Sequence, residues 1–150
     1  MLSVSQTTGY AIKALACIAT QDKPLLIRDI SSAAGVPAPY LAKIVRRLRA
    51  AGIVSAKRGH KGGVQMARPP ASISLLTIGE AIEGEELVGN CLLGKVFCED
   101  LTACPTYTFW KKTGESIRSE LDRLSLADII AFNRNHARKA GRAQKKRGIK

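Results

Sequence analysis

Cys91, Cys98 and Cys104 stand with six and then five residues between them, and only Cys17 lies outside that stretch. Three clustered thiols can ligate iron in an iron-sulfur cluster, can hold zinc, or can switch between thiol and disulfide. Zinc fits least well, because structural zinc takes four closed ligands, commonly with a close pair of cysteines, and no such pair occurs. Lys95 favours a thiolate within the stretch, whereas Glu99 and Asp100 oppose it. A cluster, a metal-free thiol switch and inert cysteines all stay open on these residues alone. Cys17, inside an apolar helical pattern, reads as a small core residue.

A second set of residues is basic and lies earlier. Residues 1–70 carry 11 Lys/Arg against 2 Asp/Glu, a balance of +9; residues 71–124 carry 5 against 9, or −4; residues 125–150 carry 8 against 1, or +7. A polyanion would be met by the two ends, with the cysteines in an acidic middle. Only His60 and His136 are available as histidines, and no nucleophile, base and orienting group fall together by spacing, so an enzyme is not expected. The opening residues lack the pattern of a secretion signal, and no run approaches the roughly 18 to 20 apolar residues of a membrane span. A cytoplasmic protein that does not enter the membrane is therefore expected, where cysteines stay reduced or bind metal.

The elements that position these groups are mostly helical, with one small β-hairpin. A first helix is expected from Thr7 or Thr8 to Thr20, with one of those threonines as its cap. A short helix over 28–34, a break at Gly35 and a second helix over 37–51 give a helix-turn-helix. Leu41, Ile44, Val45 and Leu48 form its buried stripe, and Pro37 and Pro39 are tolerated in its first turn. The opposite surface offers Pro39, Tyr40, Lys43, Arg46 and Arg47, with Arg28 nearby on the preceding helix, a pattern suited to the DNA major groove. Residues 53–58 and 64–68 read as strands around a glycine-rich tip, a wing whose Arg58, His60 and Lys61 can reach phosphates. A solvated basic surface, or a basic RNA-binding or architectural protein without sensory chemistry, is the plainer alternative.

Beyond a Pro69–Ser72 linker, Thr77 and Glu80 have capping-box spacing for a short helix over 78–83. Pro105 suits the start of a long helix to Leu124, whose Phe109, Trp110, Ile117, Leu121 and Leu124 suggest a dimer interface. Ser125 and Asp128 cap a closing helix containing Ile129, Ile130 and Phe132. From Arg134 onward 8 of 17 residues are Lys/Arg, which predicts a disordered tail. The division expected is a winged helix-turn-helix at 1–70, a short helix with the cysteine loop at 71–104, a dimerisation helix and closing helix at 105–133, and the basic tail at 134–150.

These pieces, taken in order, resemble the Rrf2-type family of bacterial winged helix-turn-helix regulators, whose members include iron-sulfur and nitric-oxide sensors. The resemblance is carried by residues 8–16, 30–36, 40–54, 58–64 and 77–84, and by the three cysteines followed by a helix through Trp110. It implies a homodimer on double-stranded DNA with a palindromic operator, read by Tyr40, Lys43 and their neighbours and by Arg58 at the wing. It also implies an iron-sulfur cluster, of two-iron or four-iron type, on Cys91, Cys98 and Cys104. In the family a fourth ligand comes from a histidine three residues past the third cysteine or from a group near the start of the first helix. Those positions here hold Tyr107 and Gly9, which leaves Glu99, Asp100, an external thiol or another partner group as candidates.

Overall fold

The computed structural model describes residues 5–59, 62–84, 87 and 104–147, with side chains to residue 138. Among the described residues the elements run α1 (Gln6–Ala19), α2 (Ile27–Ala34), α3 (Ala38–Ala50), β1 (Val54–Lys57), β2 (Gly63–Met66), a 3-10 turn (Pro70–Ser72), α4 (Leu75–Glu83), α5 (Tyr107–Arg123) and α6 (Leu126–Arg147). The architecture is the mainly α fold with a β wing that the sequence patterns lead one to expect.

Helices α1 to α4 and the start of α6 each bury apolar side chains. Ala11, Ala14, Leu15 and Ile18 of α1, Ile30 of α2, Leu41, Ile44, Val45 and Leu48 of α3, and Leu75, Ile78 and Ile82 of α4 meet in one core, joined by Leu126 and Ile130 of α6. Gly35 ends α2 in the left-handed region at φ 64°, where a side chain would be strained, and so sets the turn into α3. The hairpin is antiparallel, with Val54 opposite Met66 and Lys57 opposite Gly63. Leu25 adds a bridge to it that no local pattern announces: its N–H donates to the Val64 carbonyl at 2.9 Å, and Val64 donates back at 2.8 Å. The wing is thereby anchored to the link between α1 and α2.

Several boundaries differ from expectation for physical reasons. Ser5, not Thr7 or Thr8, caps α1, accepting from the Thr8 N–H at 3.3 Å. Thr8 is buried instead and donates its hydroxyl to Glu83 at 2.6 Å. Likewise Ser74 caps α4 by accepting from the Thr77 N–H at 3.1 Å, so that helix starts at Leu75. Glu80 is not part of a capping box there, since its carboxylate pairs with Arg118 of α5 at 2.8 Å. Pro105 lies in a turn and α5 begins at Tyr107. Ser125 and Asp128 do form the expected reciprocal cap, with Ser125 N–H donating to Asp128 at 2.8 Å; these hydrogen bonds hold the Asp128 carboxyl below its usual range.

The closing helix is longer than expected. α6 does not stop near residue 133 but runs to Arg147; Ala137, Ala140, Ala143, Gln144 and the surrounding Lys and Arg are good helix formers, and no proline interrupts them, although Gly141 works against the helix. At the other end of α6, Leu126 donates to the Ile73 carbonyl at 2.9 Å and Leu75 donates to the Leu124 carbonyl at 2.8 Å. That pair of bonds fastens the start of α4 to the junction of α5 and α6. No helix among the described residues is long and apolar enough to cross a membrane.

Leu48 is fully buried where α3 meets the rest of the core. Leu48→Ala is expected to lower unfolding free energy by about 2 to 5 kcal/mol, measured by urea denaturation; a loss below about 0.5 kcal/mol would contradict this packing.

Candidate nucleic-acid interface

The stripe that α3 buries determines what it displays. With Leu41, Ile44, Val45 and Leu48 facing the core, Pro39, Lys43 and Arg46 recur at four and three residues on the side directly opposite, and all three are exposed. Tyr40 stands on the flank of that surface, 57% exposed, with its ring edge-on to Tyr10 of α1 at 6.5 Å between centroids. The edge-on contact places Tyr10 of α1 against the exposed ring of Tyr40. Nothing in α3 introduces an acidic group, and Arg47 and Arg49 in its last turn complement the negative end of the helix dipole.

Arg28 extends the basic surface from α2; its side chain is 81% exposed and 3.5 Å from Asp29. At that exposure the ion pair contributes little and leaves the guanidinium available. Arg58 and Lys57 are exposed at the end of β1. Gly63 closes the returning side at φ 146°, and a Cβ there would come within 2.8 Å of the Leu25 carbonyl oxygen. Glycine is therefore required where the hairpin meets the Leu25 bridge. His60 and Lys61, expected at the tip, lie outside the described residues.

Arg47 does not stand free with Arg46. Its guanidinium donates to the backbone carbonyl of Ile82 in the last turn of α4. The helix-surface pattern placed it among groups that face DNA, and only the position of α4 shows the alternative acceptor.

Of the expected ligand set, Cys91 and Cys98 lie outside the described residues, and Cys104 stands just before α5, half-exposed. Its Sγ lies 3.4 Å from the Thr106 hydroxyl. That hydrogen bond, helped by the Thr106 and Tyr107 backbone, holds the Cys104 thiol below its ordinary pKa. A thiol biased toward the thiolate is the form that ligates iron or zinc, so this residue fits the donor chemistry of a cluster. Cys17 contrasts with it: burial pushes its thiol pKa up, consistent with a packing role. Among the described residues no three His, Cys, Asp or Glu side chains gather as a metal site.

The α5 stripe divides. Leu121 and Leu124 pack against the core, whereas Phe109 is 62% exposed and lies edge-on to Trp110 at 5.5 Å. Phe132 of α6 is also 62% exposed.

Residues 4–132 match the model of the Rrf2 family, described as an iron-dependent transcriptional regulator. The chain belongs to the Rrf2 family. It is 32% identical over 126 residues to the HTH-type transcriptional regulator IscR of Aliivibrio salmonicida, covering 83% of this chain and 74% of that protein. A solved structure of T. potens IscR superposes with a TM-score of 0.70 at 28% identity, covering 87% of this chain and 88% of that one. CymR, the global cysteine regulator of B. subtilis, shares the fold at a TM-score of 0.72 and 22% identity, covering 88% and 98%. This Rrf2 member is accordingly a transcriptional regulator, as its relatives are, and not an enzyme.

The state of Cys104 gives a direct test. In a metal-free chain carrying Cys17→Ser, Cys91→Ser and Cys98→Ser, the alkylation rate of Cys104 is followed against pH. Thr106→Val removes the hydrogen bond that favours the thiolate, so the midpoint is expected to move to higher pH and the rate at neutral pH to fall. An unmoved midpoint would contradict the geometry.

Proposed function

We propose that this Rrf2 protein acts in the cytoplasm as a homodimer on a palindromic DNA operator, and that Cys91, Cys98 and Cys104 hold an iron-sulfur cluster through which it senses redox state, nitric oxide or iron-sulfur status. The observation that carries the DNA reading is the outer surface of α3, where Pro39, Tyr40, Lys43 and Arg46 are exposed while the opposite stripe is buried. Tyr40 and Lys43 are assigned to base edges, and Arg28, Arg46 and Arg58, with His60 and Lys61 of the wing, to the phosphate backbone. Affinity then comes largely from the basic N-terminal region and sequence preference from α3.

A homodimer is supported by Phe109 of α5 and Phe132 of α6, aromatic side chains left exposed while Leu126 and Ile130 of α6 are buried in the core. A two-fold axis between such surfaces would set two α3 helices on successive major grooves. For the cofactor, the support is the thiolate-favouring position of Cys104 together with the similarity to IscR proteins. When bound, a cluster of two-iron or four-iron type supplies a centre reactive toward oxidants and nitric oxide. The chain's own part is to present three thiolates between α4 and α5. A metal-free thiol switch in the same fold is the second reading, favoured by the same lowered Cys104 pKa.

Arg58→Ala is expected to weaken binding about equally for all duplexes and to reduce the slope of log affinity against log salt by about 1. Tyr40→Ala or Lys43→Ala is expected to cost about 1 to 3 kcal/mol on the preferred duplex and to relax its sequence preference. Fluorescence anisotropy over a salt series measures both, and wild-type behaviour in all three variants would refute the docking. Anaerobically purified protein is expected to absorb in the visible range and to contain iron and sulfide, with both lost in Cys98→Ala. A colourless, iron-free wild type after reconstitution would sink the cluster and leave the thiol switch.

A further inference from the structure

Arg46 and Arg47 are adjacent, yet they face different tasks. Arg46 lies directly opposite the buried stripe of α3, whereas the Arg47 guanidinium donates to the Ile82 carbonyl at the end of α4. The last carbonyls of a helix lack internal partners, and the negative end of the dipole also favours a cation there. A groove lined by Arg47, Ala50, Ala51, Glu80, Ile82 and Gly84 runs between the two helices, so this arginine is the polar link across it.

The end of α4 is a junction for the rest of the molecule. Glu83 accepts from the Thr8 hydroxyl of α1 at 2.6 Å and also from the Ser5 hydroxyl. Glu80 pairs with Arg118 of α5 at 2.8 Å. Gly84, at φ 82°, turns the chain out of the helix, and Leu87 sets its side chain against Gly79, in space that a Cβ would fill. The sequence that follows contains Cys91 and Cys98, and the chain enters α5 just after Cys104. The cysteine-bearing stretch thus leaves from α4 and rejoins at α5, two helices tied to each other by Glu80 and Arg118, and α4 is tied to α3 by Arg47.

We propose that Arg47 is a positioning residue, which couples α3 to the end of α4 from which the cysteine-bearing stretch departs, and that it makes no DNA contact. Its use in regulation rests on the sensor reading given above, but the link itself does not. Coupling between two sites is reciprocal, so a change in the cysteine-bearing stretch that biases α3 implies that DNA on α3 acts on the end of α4. That reverse direction can be measured without any cluster.

The probe is a duplex recovered by selection from random-sequence DNA, and the protein is the full chain without metal. Hydrogen exchange is followed over residues 80–84 with and without saturating duplex. In the wild type, duplex is expected to slow exchange there by about 5-fold or more, the lower end of ordinary allosteric coupling. Arg47→Gln is expected to abolish that response while the amides of α3 keep theirs. On the same proteins, Arg46→Ala should lower the salt slope by about 1, as for a lost phosphate contact, and Arg47→Gln should leave it unchanged. An exchange response that survives Arg47→Gln, or a salt slope lowered by it, overturns the proposal. If Arg47→Gln fails to fold, Arg47→Lys reads the same quantities, with a reduced exchange response and an unchanged slope expected. Iron content of anaerobic wild type decides the sensor reading separately, because neither quantity depends on bound metal.

Discussion

Burial of Leu41, Ile44, Val45 and Leu48 is the constraint on which everything else in the molecule depends. One short helix must be held by its apolar stripe firmly enough that its other side can be offered to a partner without moving. α1 and α4 supply the opposing apolar surfaces, and the polar links at the edge of the core, Arg47 to Ile82 and Thr8 to Glu83, fix the angle at which these helices meet. Apolar burial is non-directional and supplies most of the stability. The hydrogen bonds contribute less free energy but define geometry, which is what recognition of a base sequence requires.

Charge is distributed to match. The +9 balance of residues 1–70 falls on the segment that contains α2, α3 and the wing, while the −4 balance of residues 71–124 falls around the cysteines. Long-range attraction to a polyanion therefore brings the α3 side toward it and keeps the acidic middle away. At Cys104 the thiol is held below its ordinary range by the Thr106 hydroxyl, with the Thr106 and Tyr107 backbone adding to this against a desolvation that raises it. This thiol ahead of α5 thus owes its thiolate character to its immediate neighbours.

Much of this was legible in the sequence because it depends on local period and turn chemistry. The α3 stripe, Gly35 in a left-handed turn, the hairpin and the Ser125–Asp128 cap all declare themselves within a few residues. What escaped depends on partners far along the chain. Ser5 and Thr8 both had the chemistry of a cap, and both hydroxyls reach Glu83, 75 residues away from Thr8, a partner that no local pattern announces. Glu80 had the spacing of a capping box and found Arg118 instead. Arg47, on the exposed side of α3, also has an acceptor at the end of α4 that the helix pattern could not show. The length of α6 was missed for another reason: its Lys and Arg content was read as solvating charge, whereas the same residues interleaved with alanine have strong helix propensity.

In the proposed function, chemistry at the cysteines governs the surface of α3 assigned to DNA. The most direct test of that control is the affinity for a selected duplex, measured anaerobically on one preparation before and after treatment with a chelator that strips iron. A change of 5-fold or more, the size of ordinary allosteric coupling, is the result expected, and Cys104→Ser should hold the protein at the stripped value. Equal affinity in iron-loaded and stripped protein would contradict the account.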